Sequence, residues 1–162
     1  MLLRKIRKAR WRDSPPAWLP AGSLQADALI DLNTKVNDLS IWQIETDGSN
    51  ILDVATALIC TQDDFSNIDY ALIDSAFLPQ LDIRIEPGPS PSAYMSACKW
   101  HFNLRQLSAT KIISLAELIM RQAKIDRIPE KKVRGDFMHR LQQGQIDRDR
   151  LNPKLRERLP DA

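Results

Sequence analysis

The chain has 162 residues, of which 43% are hydrophobic and 27% charged, which predicts one folded domain and excludes wholesale disorder. No apolar run approaches the ~18 residues of a membrane-spanning helix, and the start lacks the apolar stretch of a secretory signal. The net charge of +2 conceals two basic ends around an acidic body: residues 1–12 carry +6, residues 13–120 carry −9 and residues 121–162 carry +5.

The first 22 residues are predicted to form a basic arm outside the core. Six cations and no acid lie within residues 1–12, and Pro15, Pro16 and Pro20 interrupt regular structure further along. Such a cluster of cations is typical of a segment that contacts another macromolecule. The residues of this arm that we expect to bind a partner are Arg4, Lys5, Arg7, Lys8, Trp11 and Trp18.

Residues 23–36 fit two patterns. Apolar and polar side chains alternate as in a half-buried strand, but apolar residues also recur every four positions as on a helix. Residues 39–45 alternate more clearly and are rich in β-forming side chains, which predicts a strand. The strand is therefore the favoured interpretation for residues 23–36, because the two segments would then pair as a hairpin.

The middle of the chain contains two predicted amphipathic helices. The first covers residues 51–61, and Ser108 is expected to cap the second at its N-terminus. Between them, residues 81–86 and 99–104 are predicted strands. Residues 68–78 are apolar enough for a helix or a buried strand, and their length and period do not decide between the two.

The C-terminal segment is predicted to be a basic helical tail. Pro129 is placed to begin a helix that ends near Gly144, and Asn152 with Pro153 starts a shorter one. Leu155 and Leu159 recur at helical spacing on this last element, and we expect them to bind a partner or the body of the protein.

Together these elements predict an α+β fold, with a small, mostly antiparallel sheet packed by two amphipathic helices. The predicted organisation is an arm over residues 1–22, an α+β core over residues 23–125 and a basic helical tail over residues 126–162.

The residues that most often carry chemistry form no complete site in the sequence. Cys98 and His101 are a close pair, but a structural zinc site usually needs two such pairs. Asp82 and Glu86 share a strand face, yet the lysine of a nuclease-like arrangement does not follow them. Glycine-rich phosphate loops and the nucleophile-elbow pattern around serine are absent. We therefore predict no catalytic residues, no metal and no cofactor.

The sequence favours a non-catalytic binding protein, a small subunit of a larger complex that contacts a protein partner through its basic ends. A nucleic-acid-binding protein that uses the same basic segments is the alternative, and a metal-dependent nuclease is a weaker one. No membrane partner is expected. The two cysteines are too few for a disulfide scaffold, which predicts a cytoplasmic location.

Overall fold

The computed structural model describes residues 1–11, 17–20 and 22–160. Six strands form one antiparallel sheet in the order β4-β5-β2-β1-β3-β6. The strands are β1 (Leu2–Lys5), β2 (Leu39–Gln43), β3 (Ile68–Ile73), β4 (Arg84–Pro87), β5 (His101–Arg105) and β6 (Lys124–Ile128). The α-helices are α1 (Ile51–Ile59), α2 (Ala109–Gln122), α3 (Glu130–Gln142) and α4 (Pro153–Glu157). Short 3₁₀ helices lie at Lys8–Arg10, Ala26–Leu32, Ser75–Phe77, Pro79–Leu81, Met95–Trp100 and Arg148–Arg150.

The N-terminal segment is part of the core, which corrects the prediction of an arm. β1 lies in the middle of the sheet and pairs with both β2 and β3. Leu2 and Leu3 point to opposite faces and are both buried, so the strand contributes to the core on each side. Of the predicted arm, residues 12–16 and 21 lie outside the described residues.

Helices cover both faces of the sheet. Helices α1, α3 and α4 pack on one face with the 3₁₀ helix Met95–Trp100, and α2 packs on the other with the 3₁₀ helix Ala26–Leu32. The central strands β1, β2 and β3 supply alternate side chains to the two cores, as in the case of Ile41 and Trp42. The α+β class is confirmed, and the helical cover is more extensive than the two helices predicted.

Several predicted elements are confirmed. β2 lies within the predicted strand, α1 lies within the predicted helix, and the Ser108 hydroxyl caps α2 by accepting from the Lys111 N–H at 3.2 Å. Residues 68–78, for which the sequence did not decide between helix and strand, form β3 and the 3₁₀ helix Ser75–Phe77. The strand favoured for residues 23–36 is wrong, since Ala26–Leu32 is a 3₁₀ helix with Ala28 and Leu32 buried beneath it.

The boundary predicted between core and tail at residues 125 and 126 is also wrong. It falls inside β6, an edge strand that pairs with β3 along its whole length. The short, charged sequence of β6 carries little β signal of its own. None of the described helices is both long and apolar enough to cross a bilayer.

Candidate functional site

Two of the N-terminal residues expected to bind a partner are used inside the fold. The Arg4 guanidinium donates to the Asp31 carbonyl from Nε at 2.9 Å and from Nη2 at 2.6 Å, and to the Ser40 carbonyl from Nη1 at 2.7 Å. The Trp11 side chain is buried, and its Nε1 donates to Asp31 Oδ2 at 2.8 Å. Arg4 and Trp11 are therefore held within the fold and do not lie on a free arm, although Arg4 also lines a cleft described below.

The other N-terminal candidates differ in exposure. Lys5 is half-buried, and burial, with Arg4 and Arg7 close by, lowers the pKa of its ammonium group. Arg7 and Lys8 are exposed. In the described part of the chain, these three cations have no carboxylate oxygen within 4.0 Å. Trp18 is 78% exposed and is the predicted anchor that remains open to solvent.

The C-terminal candidates are part of the core. Leu155 is 0% exposed and Leu159 is 7% exposed, in the same cluster as residues of α1 and β3. The tail therefore binds the body of its own chain through these leucines, which is one of the two alternatives expected from the sequence, and neither side chain is exposed as a partner contact would be. Ion pairs between the basic tail and the acidic body are Lys154–Asp63, Arg158–Asp64 and Arg140–Asp53.

A cleft of about 620 Å³ lies over β2 and β5, next to the part of the sheet that the helices cover. Ser40 and Trp42 share a face of β2, but Trp42 is buried in the core while Ser40 is exposed. The register places Asn103 opposite Ser40 and His101 opposite Trp42. We name this feature the β2–β5 cleft, and its polar lining includes Arg4, Lys35, Ser40, His101, Asn103 and Arg105.

His101 lies between two hydrogen-bond partners in this cleft. Its Nδ1 is 3.0 Å from the Gly88 carbonyl oxygen, and its Nε2 is 2.5 Å from Ser40 Oγ. Because a carbonyl oxygen only accepts, Nδ1 carries the proton and Nε2 accepts from the Ser40 hydroxyl. Burial lowers the pKa of His101 more than the hydrogen bond to Gly88 raises it, so the imidazole is neutral at pH 7. The Trp42 ring packs edge-on against it at 4.9 Å.

Gly88 shapes the cleft through its carbonyl group and through its lack of a side chain. A Cβ atom at position 88 would lie 2.6 Å from Asn103 Nδ2 and 2.8 Å from Asn103 Cγ, closer than real Cβ contacts. Its backbone N–H donates to the His101 carbonyl at 3.2 Å, which continues the pairing of β4 with β5. Gly88 therefore orients His101 and leaves room for the Asn103 amide.

The charge of the cleft centres on Arg4. A guanidinium group has five N–H donors, and three of those of Arg4 are bonded to carbonyl oxygens. Two N–H groups therefore have no acceptor within the described residues. Burial lowers the pKa of Arg4 to about 10 against the opposing effect of Asp31. Lys35 is exposed, and Arg105 is paired with Asp38.

The residues considered for metal chemistry do not converge. Cys98 Sγ lies 3.6 Å from the Tyr94 carbonyl oxygen, whereas His101 bonds to Ser40 and Gly88. Asp82 is paired with Lys111 at 2.8 Å and Glu86 with Arg105 at 3.4 Å. Within residues 1–11, 17–20 and 22–160, no group of three or more His, Cys, Asp or Glu side chains is placed to hold a metal ion.

Sequence reasoning missed Ser40, Gly88 and Asn103. Ser40 follows Leu39 in a confirmed strand and was visible as a polar residue on the face that also carries Trp42. Its partner His101 lies 61 residues away, and the pairing depends on the register of β2 with β5. No local spacing signals that register.

No protein-family model, curated protein or solved structure matches this chain.

Proposed function

We propose that this is a binding protein that takes up an acidic group of a protein partner in the β2–β5 cleft, as a small subunit of a cytoplasmic complex. The observation that carries the proposal is the Arg4 guanidinium, held by carbonyl oxygens with two donors to spare. A desolvated cation that forms no ion pair among the described residues binds an anion with a large gain in free energy. The cost of removing water from the cation has already been met in folding.

The rest of the cleft fits a protein ligand better than a nucleic acid. Pro89, Pro91 and Val36 line it, and Val36 is 86% exposed, so apolar surface surrounds the cationic centre. An aspartate, glutamate or terminal carboxylate with apolar neighbours would satisfy both the charge and the walls.

The test is a titration followed by NMR amide shifts, with acetate as the carboxylate probe. The proposal predicts shifts at His101 and Asn103 that Lys35→Glu weakens and that Lys132→Glu leaves unchanged. Lys132 is a matched control, an exposed lysine on α3 without an ion pair among the described residues. An absence of shifts in the cleft, or equal effects of the two variants, would contradict the proposal.

A second candidate, nucleic-acid binding, is favoured by one observation. Arg4, Lys5, Arg7 and Arg10 line a smaller groove of about 290 Å³, together with Asp31. Arg7 and Lys8 are exposed and lie outside β1, so their charges can be removed by substitution without changing a residue of the sheet.

Filter binding of single- and double-stranded DNA and of RNA at two salt concentrations tests this candidate. Binding through phosphates would fall steeply with salt, and Arg7→Ala with Lys8→Ala would reduce the slope by roughly 2. Binding that is absent, or that ignores salt, would eliminate it.

A further inference from the structure

The β2–β5 cleft contains a serine and a histidine in the arrangement that activates a nucleophile. The Ser40 hydroxyl donates to Nε2 of a neutral His101 at 2.5 Å, and the Gly88 carbonyl holds the opposite ring nitrogen at 3.0 Å. A nucleophile, a base within hydrogen-bond reach and a third group that orients the base are the three parts that such chemistry requires.

The exposure of the two side chains suits their roles. His101 is 3% exposed and lies against Trp42, so its ring is fixed and shielded from bulk water. Ser40 is exposed to the cleft, so its oxygen can be reached by a molecule from solvent. A general base within hydrogen-bond reach of an accessible hydroxyl meets the geometric requirement for proton abstraction.

We propose that Ser40 is a nucleophile activated by His101 and that the cleft cleaves carboxylic esters through an acyl-serine intermediate. Ser40 Oγ attacks the carbonyl carbon as its proton moves to His101 Nε2. The C–O bond to the alcohol then breaks, and the departing oxygen takes that proton. Water attacks the acyl carbon, gives a proton to Nε2, and the Ser40 oxygen leaves and is reprotonated. Ester and water thus become acid and alcohol.

Asn103 is placed to stabilise the charge that develops on the carbonyl oxygen. It lies directly opposite Ser40 in the β2–β5 register, so the two side chains are neighbours on one face. The space at Gly88 accommodates its amide, which supplies N–H donors to an oxyanion. Arg4 also lines the cleft, and its positive charge favours a substrate that carries a negative charge near the ester.

The charged groups around His101 do not compete for its proton-accepting nitrogen. Arg4, Lys35, Asp38 and Arg105 share the cleft, and within the described residues no carboxylate oxygen lies within 4.0 Å of the imidazole. His101 therefore remains a neutral base above its lowered pKa.

A fluorophosphonate probe tests the proposal, because serine attack forms an O–P bond as fluoride leaves and the hydroxyl proton passes to the histidine. Intact and peptide mass spectrometry should show one adduct on Ser40, absent from Ser40→Ala. His101→Gln should slow labelling by about 100-fold or more. Ser49→Ala is the control, since this exposed serine donates to Glu45 at 2.7 Å instead of to a histidine. The Ser49→Ala protein should be labelled at Ser40 at the wild-type rate.

The pH profile of the native protein covers the case in which His101→Gln fails to fold. The labelling rate should rise with the deprotonation of His101, reach half its maximum below about pH 6.5, the ordinary histidine pKa, and become constant at higher pH. Hydrolysis of p-nitrophenyl acetate should follow the same profile. Lack of a Ser40 adduct, or a rate that climbs steadily to pH 9 as for an unactivated hydroxyl, would overturn the proposal. Labelling does not require acetate binding, so it can succeed if the proposed binding function fails.

Discussion

The Asp31 carboxylate receives three hydrogen bonds from the N-terminal segment. The Arg7 backbone N–H and Arg10 Nη1 donate to it at 2.7 Å, and Trp11 Nε1 donates at 2.8 Å. The Asp31 side chain is 8% exposed, so these bonds are largely shielded from water. At the scale of single residues, this carboxylate holds the basic N-terminus against the body of the protein.

We expect Asp31→Ala to lower the free energy of unfolding by about 2–4 kcal/mol, because the change leaves the half-buried Arg10 guanidinium and the buried Trp11 indole N–H without an acceptor. Urea denaturation followed by fluorescence measures it. Glu117→Ala is the matched control: its pair with Arg121 joins two exposed side chains on α2, and its loss should change stability by less than about 0.5 kcal/mol. Equal effects of the two substitutions would contradict the role given to Asp31.

His101 makes the stability of the protein depend on pH. Its folded pKa lies below the ordinary value of about 6.5, so the unfolded chain binds the proton more tightly. The contribution of His101 to the free energy of unfolding is therefore fully present above about pH 7. It decreases as the pH falls from about 6.5 towards the folded pKa, by at most about 1.4 kcal/mol per pH unit.

His101→Gln should remove this loss, as measured by denaturant titrations at half-unit steps between pH 5 and 8. Exposed His139 provides the control, and His139→Gln should keep the wild-type pH dependence. A wild-type protein that is equally stable at pH 5.5 and pH 7 would show that His101 is not buried as a neutral ring.

At the scale of elements, α4 is too short to be stable as an isolated helix and depends on its contacts. The Asn152 side chain caps it by accepting from the Lys154 N–H at 3.0 Å. The Asn152 backbone N–H donates to the Cys60 carbonyl oxygen at 3.2 Å, which joins the start of α4 to the end of α1. Leu155 then fills the core between these elements.

We expect Leu155→Ala to cost about 2–5 kcal/mol of stability, since it leaves a cavity in a fully buried position. Ile113→Ala on α2 is the control, because Ile113 is 46% exposed and should lose less than about 1 kcal/mol. Thermal and urea unfolding would measure both. A Leu155→Ala protein as stable as wild type would restore the earlier interpretation of this leucine as a partner contact.

Elements with a strong local signal were predictable. The alternation in β2 and the Ser108 cap with its apolar stripe in α2 are contained within a few residues. β1 was not predictable, because Arg4 and Lys5 resemble solvent-exposed cations. Burial of Arg4 in the sheet depends on the carbonyl oxygens of Asp31 and Ser40, which lie 27 and 36 residues away. The candidate site could not be predicted from the sequence for the same reason, because Ser40 and His101 are brought together by strand register alone.

At the scale of the whole molecule, the asymmetric charge of the sequence is used to bind the chain to itself. Arg10 pairs with Asp31 at the N-terminal end, and Lys154 pairs with Asp63 at the C-terminal end. The positive ends are therefore joined to the acidic body of the same chain by ion pairs.

The central claim is that the basic N-terminus belongs to the fold and is not a free arm. Amide hydrogen exchange of Leu2–Lys5, followed by NMR, tests it most directly. β1 is paired on both sides. Its hydrogen-bonded amides should therefore exchange as slowly as those of β2 and β3, through global unfolding. Exchange within seconds at neutral pH, as for an unstructured arm, would contradict the account.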